Sequence, residues 1–159
     1  MEVIRCNNLT SMADDGARFI SDISQREIRS KGWWSLALCG GTTPRHVYER
    51  LSRLDYAHAL AWSATHVFWG DERCVPPTDA ASNYCTAWEL LLSRVVIPVE
   101  NLHRIRGECP LPEDEARRYE EEMRDFFSAR AGSIVGGFPV FDLIVLGLGR
   151  DGHTASLFP

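Results

Sequence analysis

The sequence lacks any apolar run near the ~20 residues that a membrane span requires, and no basic-then-apolar leader opens it, so a cytoplasmic, non-membrane protein is expected. Its five cysteines, Cys6, Cys39, Cys74, Cys85 and Cys109, include no C-x-x-C pair and are odd in number. That spacing speaks against a zinc site or a disulfide framework, and reduced thiols are expected. Basic residues are not in excess: 17 Lys and Arg stand against 22 Asp and Glu, a net charge of −5. Nucleic acid is therefore not an expected partner, since phosphate backbones reward clustered cations. An anionic small molecule is compatible, because it needs only a local group of cations and amide donors. Internal repeats, low-complexity tracts and linkers are also missing. The 159 residues are read as one domain, 1–159, with a core of its own.

Strand and helix signals alternate along the chain. Residues 2–6 read as a short first strand. Ser11 is placed to cap a helix with Asp14 three residues on, Ala13, Ala17, Ile20 and Ile23 lining one face, and Gly32 ending it. Residues 33–39 (WWSLALC) form a continuous apolar run, the pattern of a parallel strand buried on both faces. GGTTP follows at 40–44, with Thr43 suited to a helix N-cap and Pro44 to the first helical position; Val47, Leu51 and Leu54 then recur at helical spacing. A second strand at 65–70 ends at Asp71, Glu72 and Arg73. After a proline-containing loop, Tyr84, Trp88, Leu91 and Val95 mark a helix. A charged helix from about Glu113 turns Ala116, Tyr119, Met123 and Phe126 inward, with its glutamates as a solvated face. Gly132, Gly136 and Gly137 break it, and 139–146 supplies a third core strand. Repeated strand, turn and helix predict an α/β fold: a doubly wound, mostly parallel sheet.

In such a sheet the carboxyl ends of the strands share one edge, so the loops 40–44, 71–76 and 147–156 should converge. Gly40 and Gly41 let backbone amides approach a ligand, and Thr42 and Thr43 add hydroxyls at a helix N-terminus, which favours phosphate. An ordinary threonine-capped turn explains the same residues. Arg73 is suited to a two-point grip on phosphate or carboxylate; an internal ion pair with Asp71 or Glu72 is the competing explanation. In the third loop, Gly147 to Gly152 spells G-x-G-x-x-G, the dinucleotide fingerprint, but that motif needs a helix opening there, and the match is read as coincidental. Asp151 and His153 read instead as a pair, the imidazole taking a proton from water and the carboxylate orienting it. Turn formation is the plainer account of both. Cys39 could be a nucleophile before the glycine turn; filling the last buried position of the strand is preferred.

The segments GGTTP at 40–44, GDERCVPPTDAASNY at 70–84, IPVENLHRIRGE at 97–108 and FDLIVLGLGRDGHTASLFP at 141–159 resemble the 6-phosphogluconolactonase family, in order and spacing, over essentially the whole chain. Cys39 departs from the serine usual there. The family stands with the glucosamine-6-phosphate isomerase/deaminases, and the resemblance implies a modified Rossmann-like α/β sheet. Arg73, where the isomerases have tyrosine, and the TASLFP ending favour the lactonase branch.

What the resemblance implies is hydrolysis of 6-phosphoglucono-δ-lactone to 6-phosphogluconate in the oxidative pentose phosphate pathway, with no cofactor and no metal. By position, His153 would be the base that activates water and Asp151 its support. Gly40, Gly41, Thr42, Thr43 and Arg73 would hold phosphate. Asp71 falls where the isomerase branch shuttles a proton, and Asn83 and Arg104 fall in family motifs that capping and ion pairing also explain. Family members continue past this ending with further strands, helices and a phosphate-binding lysine. The chain is thus expected to be C-terminally incomplete, with apolar surface and a strand edge exposed. The alternatives are an amino-sugar-phosphate isomerase/deaminase, and a non-catalytic sugar-phosphate sensor or remnant. Oligomeric state is not legible.

Overall fold

The computed structural model describes residues 3–159. Elements follow in the order α1 (Leu9–Lys31), β1 (Trp34–Leu38), α2 (Thr42–Leu51), α3 (Leu54–Ala57), β2 (Thr65–Trp69), α4 (Asn83–Leu90), β3 (Leu102–His103), α5 (Pro112–Ser128), β4 (Ile134–Val135), β5 (Phe138–Pro139) and β6 (Leu143–Ile144). The main sheet has the order β3-β2-β1-β6 and every pairing in it is parallel; β4 and β5 form a small antiparallel hairpin. The α/β, mostly parallel architecture expected from the alternating signals is present.

Period-two alternation in the central strands divides the core into two layers. Trp34, Leu36, Leu38, Val67 and Trp69 face α1, α2 and α4, meeting Ala17, Ile20, Val47, Leu51, Ala87 and Leu90. Ala37 and Phe68 face the other way, onto Tyr119, Phe126 and Phe127 of α5. Both faces of β1 are covered, which is why all five of its residues are buried. Trp34 Nε1 satisfies its donor on Thr65 Oγ1 at 2.8 Å, tying β1 to β2 within this core.

Several local expectations are corrected. Residues 3–6 form no strand, and residue 2 lies outside the described residues. Asn8, not Ser11, caps α1: its side chain accepts from Ser11 N at 2.9 Å while Ser11 Oγ accepts from Asn8 N at 3.2 Å, a reciprocal box that starts the helix earlier. The predicted inward face of α1 is buried, and Gly32 ends it at φ 82°. Gly41, at φ 108°, is the cap of α2, so Thr42 is its first residue and Thr43 and Pro44 lie inside it; Leu54 is exposed. α4 stops at Leu90 and a 3-10 turn, Leu92–Arg94, shifts the phase, so Ala87, Leu90 and Leu91 are buried while Trp88 is exposed. In α5, Ala116 is exposed and Glu115 is buried, bound to Arg118 (2.5 Å) and to the Arg106 amide (2.7 Å).

The stretch 139–146 is not one strand. Pro139 ends the hairpin, and only Leu143–Ile144 pairs with β1, at Leu36 and Ala37. β6 is the sheet's edge, and beyond it burial alternates: Leu143 and Val145 are half-buried, whereas Ile144, Leu146 and Leu148 are exposed. One face and one edge of this end are bare, as expected.

Candidate active site

Because the four strands run parallel, their carboxyl ends deliver three loops to one place. They surround a cavity of about 530 Å³ lined by Gly40, Gly41, Thr42, Thr43, Asp71, Arg73, Gly149 and His153, with Cys39, Val47, Leu146 and Ala155 among its apolar walls. Of the eight residues singled out from sequence, seven line this cavity. The eighth, Asp151, reaches it through His153: its Oδ1 lies 2.5 Å from His153 Nδ1 and also accepts from the His153 backbone amide at 3.3 Å.

The third loop is built to make that pair. Gly149 N donates to His153 O (2.8 Å), Gly152 N to Gly149 O (3.0 Å), and Thr154 Oγ1 to Gly147 O (2.9 Å), closing the turn on itself. A Cβ at Gly149 would overlap the His153 ring and stand 2.7 Å from Asp151 Oδ1, so glycine makes room for the pair. Ala155 takes φ 49°, a conformation that L residues rarely adopt, in the turn that brings Ser156 back to the site. No helix follows the G-x-G-x-x-G run, so the dinucleotide geometry is absent. The imidazole holds the Asp151 carboxyl below its usual value, through the hydrogen bonds from ring and backbone. Since a carboxylate accepts only, Nδ1 is the donor to Asp151, and the neutral ring presents its lone pair at Nε2.

At the first loop, Gly41 and the first turn of α2 offer unpaired amides at a helix N-terminus. Gly40 has a second reason to be glycine: a Cβ there would overlap Asn83 Oδ1. Asn83 is buried, and its Nδ2 donates to Asp71 O at 3.0 Å and Asp71 Oδ1 at 3.2 Å. Ser156 Oγ donates to Asp71 Oδ2 at 2.8 Å. Asp71 is therefore held from both sides, by residues 12 and 85 positions away. Cys39 lies directly after β1, not within it, and is buried beside this loop; burial pushes its thiol up, away from the nucleophilic thiolate.

The second loop settles the competing explanation of Arg73. Glu72 does not pair with it; both of its oxygens are taken by Ser82, Asn83, Tyr84 and the Arg73 amide. Among the described residues Arg73 forms no ion pair, whereas Arg104 pairs with Glu108 at 2.6 Å. Ser156 and the capping role of Glu72 were missed from sequence. Ser82-Asn83-Tyr84 after a loop was a legible helix start, but nothing local named Glu72 as its partner.

The family model for glucosamine-6-phosphate isomerases/6-phosphogluconolactonase matches residues 7–159. The chain belongs to this family. Among curated relatives, it is 46% identical over 124 residues to the 6-phosphogluconolactonase of Haemophilus influenzae, covering 78% of this chain and 49% of that protein. It is also 46% identical over 134 residues to that of Synechocystis, covering 84% and 52%. Its fold matches the 6-phosphogluconolactonase from Trypanosoma cruzi with a TM-score of 0.84 at 31% identity, over 99% of this chain and 62% of the other. The chain thus spans about half the length of the curated relatives it matches. The glycine-rich, Asp-Glu-Arg and Asp-Gly-His segments of this chain are the three loops that meet at the cavity. No helix among the described residues is long and apolar enough to cross a membrane.

Proposed function

We propose that this cavity binds 6-phosphoglucono-δ-lactone and hydrolyses it to 6-phosphogluconate. The observation that carries the reading is His153, its Nδ1 committed to Asp151, in one cavity with the α2 amides and an Arg73 that pairs with no carboxylate among the described residues. Gly40, Gly41, Thr42, Thr43 and Arg73 take the phosphate: amide donors and the positive end of α2 favour the dianion, and the guanidinium adds a two-point contact. Asp71, fixed by Asn83 and Ser156, binds a sugar hydroxyl.

With the phosphate anchored, the lactone carbonyl is held against a water on Nε2 of His153. Nε2 accepts a proton as the water oxygen bonds to the carbonyl carbon. Asp151 stabilises the imidazolium so formed, and Nε2 then returns the proton to the ring oxygen as the ester C–O bond breaks. The product acid loses its own proton to solvent. A net charge of −5 supports a small-molecule rather than a nucleic-acid partner.

The test is hydrolysis of the lactone by this chain against the spontaneous rate. Acceleration is expected; His153→Ala should return the rate to the spontaneous one while changing 6-phosphogluconate affinity by no more than about threefold. Binding without acceleration by the unmutated chain would overturn the catalytic reading and leave a sugar-phosphate sensor.

A further inference from the structure

Arg73 lines two cavities. One is the 530 Å³ site; the other, of about 300 Å³, lies between its loop, residues 105–109 and the start of α5, with Cys74, Ile105, Arg106 and Tyr119 in its wall. An arginine with no ion pair has room on either side, so what aims it must act through its backbone.

We propose that Glu72 is the positioning residue for Arg73, setting its guanidinium toward the phosphate; this rests on the sugar-phosphate reading above. Glu72 Oε1 accepts from Arg73 N and Asn83 N, both at 2.7 Å, and Oε2 accepts from Tyr84 N at 2.9 Å and Ser82 Oγ at 3.0 Å. One carboxylate thus joins the Arg73 peptide to the first turn of α4. The helix N-terminus offsets its charge, which is why it does not draw in the neighbouring guanidinium. The other side of Arg73 is closed as well. Its carbonyl accepts from Val75 N at 2.8 Å, and Gly107 packs so tightly there that a Cβ would overlap the Arg73 oxygen and stand 2.8 Å from that of Val75. A glutamine at 72 cannot replace the carboxylate, since its NH2 would face backbone N–H donors.

The experiment is Glu72→Gln, alone and with Arg73→Gln, read by amide exchange at Arg73 and by calorimetric binding of 6-phosphogluconate and of unphosphorylated gluconate. Arg73 amide exchange should quicken about tenfold or more. Affinity for 6-phosphogluconate should fall about tenfold with gluconate unchanged, and the double variant should bind no worse than Arg73→Gln, as expected when one residue acts through the other. Unchanged Arg73 exchange, or losses that multiply, would overturn the proposal. A parent chain that binds both sugars alike would remove the phosphate assignment while leaving exchange to decide the positioning. If Glu72→Gln does not fold, Gly107→Ala presses on Arg73 from its carbonyl side and should show the same selective, non-multiplying loss; equal loss for both sugars would count against the proposal.

Discussion

Among the described residues two histidine–carboxylate pairs lie at hydrogen-bond distance, and only one has the surroundings of a site. His153 and Asp151 sit 2.5 Å apart with side chains 34% and 57% exposed. His103 and Glu122 sit 2.8 Å apart at 11% and 31%. The second pair lies on the α5 side of the sheet, where the His103 ring stacks on Phe68 with centroids 4.2 Å apart. Its Nε2 is already used, by His66 Nδ1 at 3.2 Å. Because Glu122 can only accept, the chain has one consistent direction: His66 donates to His103, which donates to Glu122, and both rings are neutral. Both nitrogens of His103 are spent on structure. His153 spends one nitrogen on Asp151, leaves the other without a partner among the described residues, and lines a cavity. The same two residue types are a buried strut in one place and a candidate base in the other; the free nitrogen and the cavity make the difference.

That contrast is broken most sharply at Gly149. Gly149→Ala puts a methyl group into the space of the His153–Asp151 pair, on a half-exposed loop whose packing contributes little to the core. Lactone hydrolysis should fall about 100-fold, the order of a lost general base, while the thermal midpoint moves by no more than a few degrees (about 1 kcal/mol). Retained activity would mean that the pair's geometry does not matter to the chemistry.

How much of this was legible beforehand follows from what each residue answers to. β1 was legible because both of its faces are buried and every position is apolar or small. The meeting of the three loops was legible because parallel strands leave no other arrangement. Residues 139–146 misled because an apolar run reads the same whether it is a core strand or, as here, a hairpin arm followed by a short edge strand. Capping failed at α1 and α2 for a related reason: Asn8 and Gly41 win by geometry over Ser11 and Thr43, which are equally good by type. Glu72, Ser156 and the contact of Asn83 with Gly40 depend on partners brought together only by the fold, and no spacing rule reaches them.

The buried pair gives the opposite response when cut. His103→Ala removes a ring stacked on Phe68 and leaves the His66 donor without an acceptor. A loss of about 2–3 kcal/mol in urea or thermal unfolding is expected from cavity and unpaired donor together. Lactone turnover per folded molecule should be unchanged, since nothing in this cluster touches the cavity. A proportionate loss of turnover would show that the two histidine pairs are coupled.

The smallest effect is the pH dependence that the buried pair imposes. Burial, then His103 and Arg130, push His66 down from the ordinary 6.5 to about 4, and burial lowers His103 as well, against the opposing pull of Glu122. Between those values the unfolded chain binds protons that the folded chain refuses, so stability is complete above about pH 6.5 and falls as pH drops toward about 4. With allowance for water reaching a half-buried ring, His66 accounts for about 1–2 kcal/mol of that fall. His66→Gln, neutral at every pH and still able to donate to His103, should flatten the urea-midpoint profile between pH 6.5 and 4 relative to the parent chain, while carboxylate effects such as that of Glu108, held at about 2 by Arg104, are common to both. An undiminished slope in His66→Gln would mean that the acid sensitivity belongs to some other group.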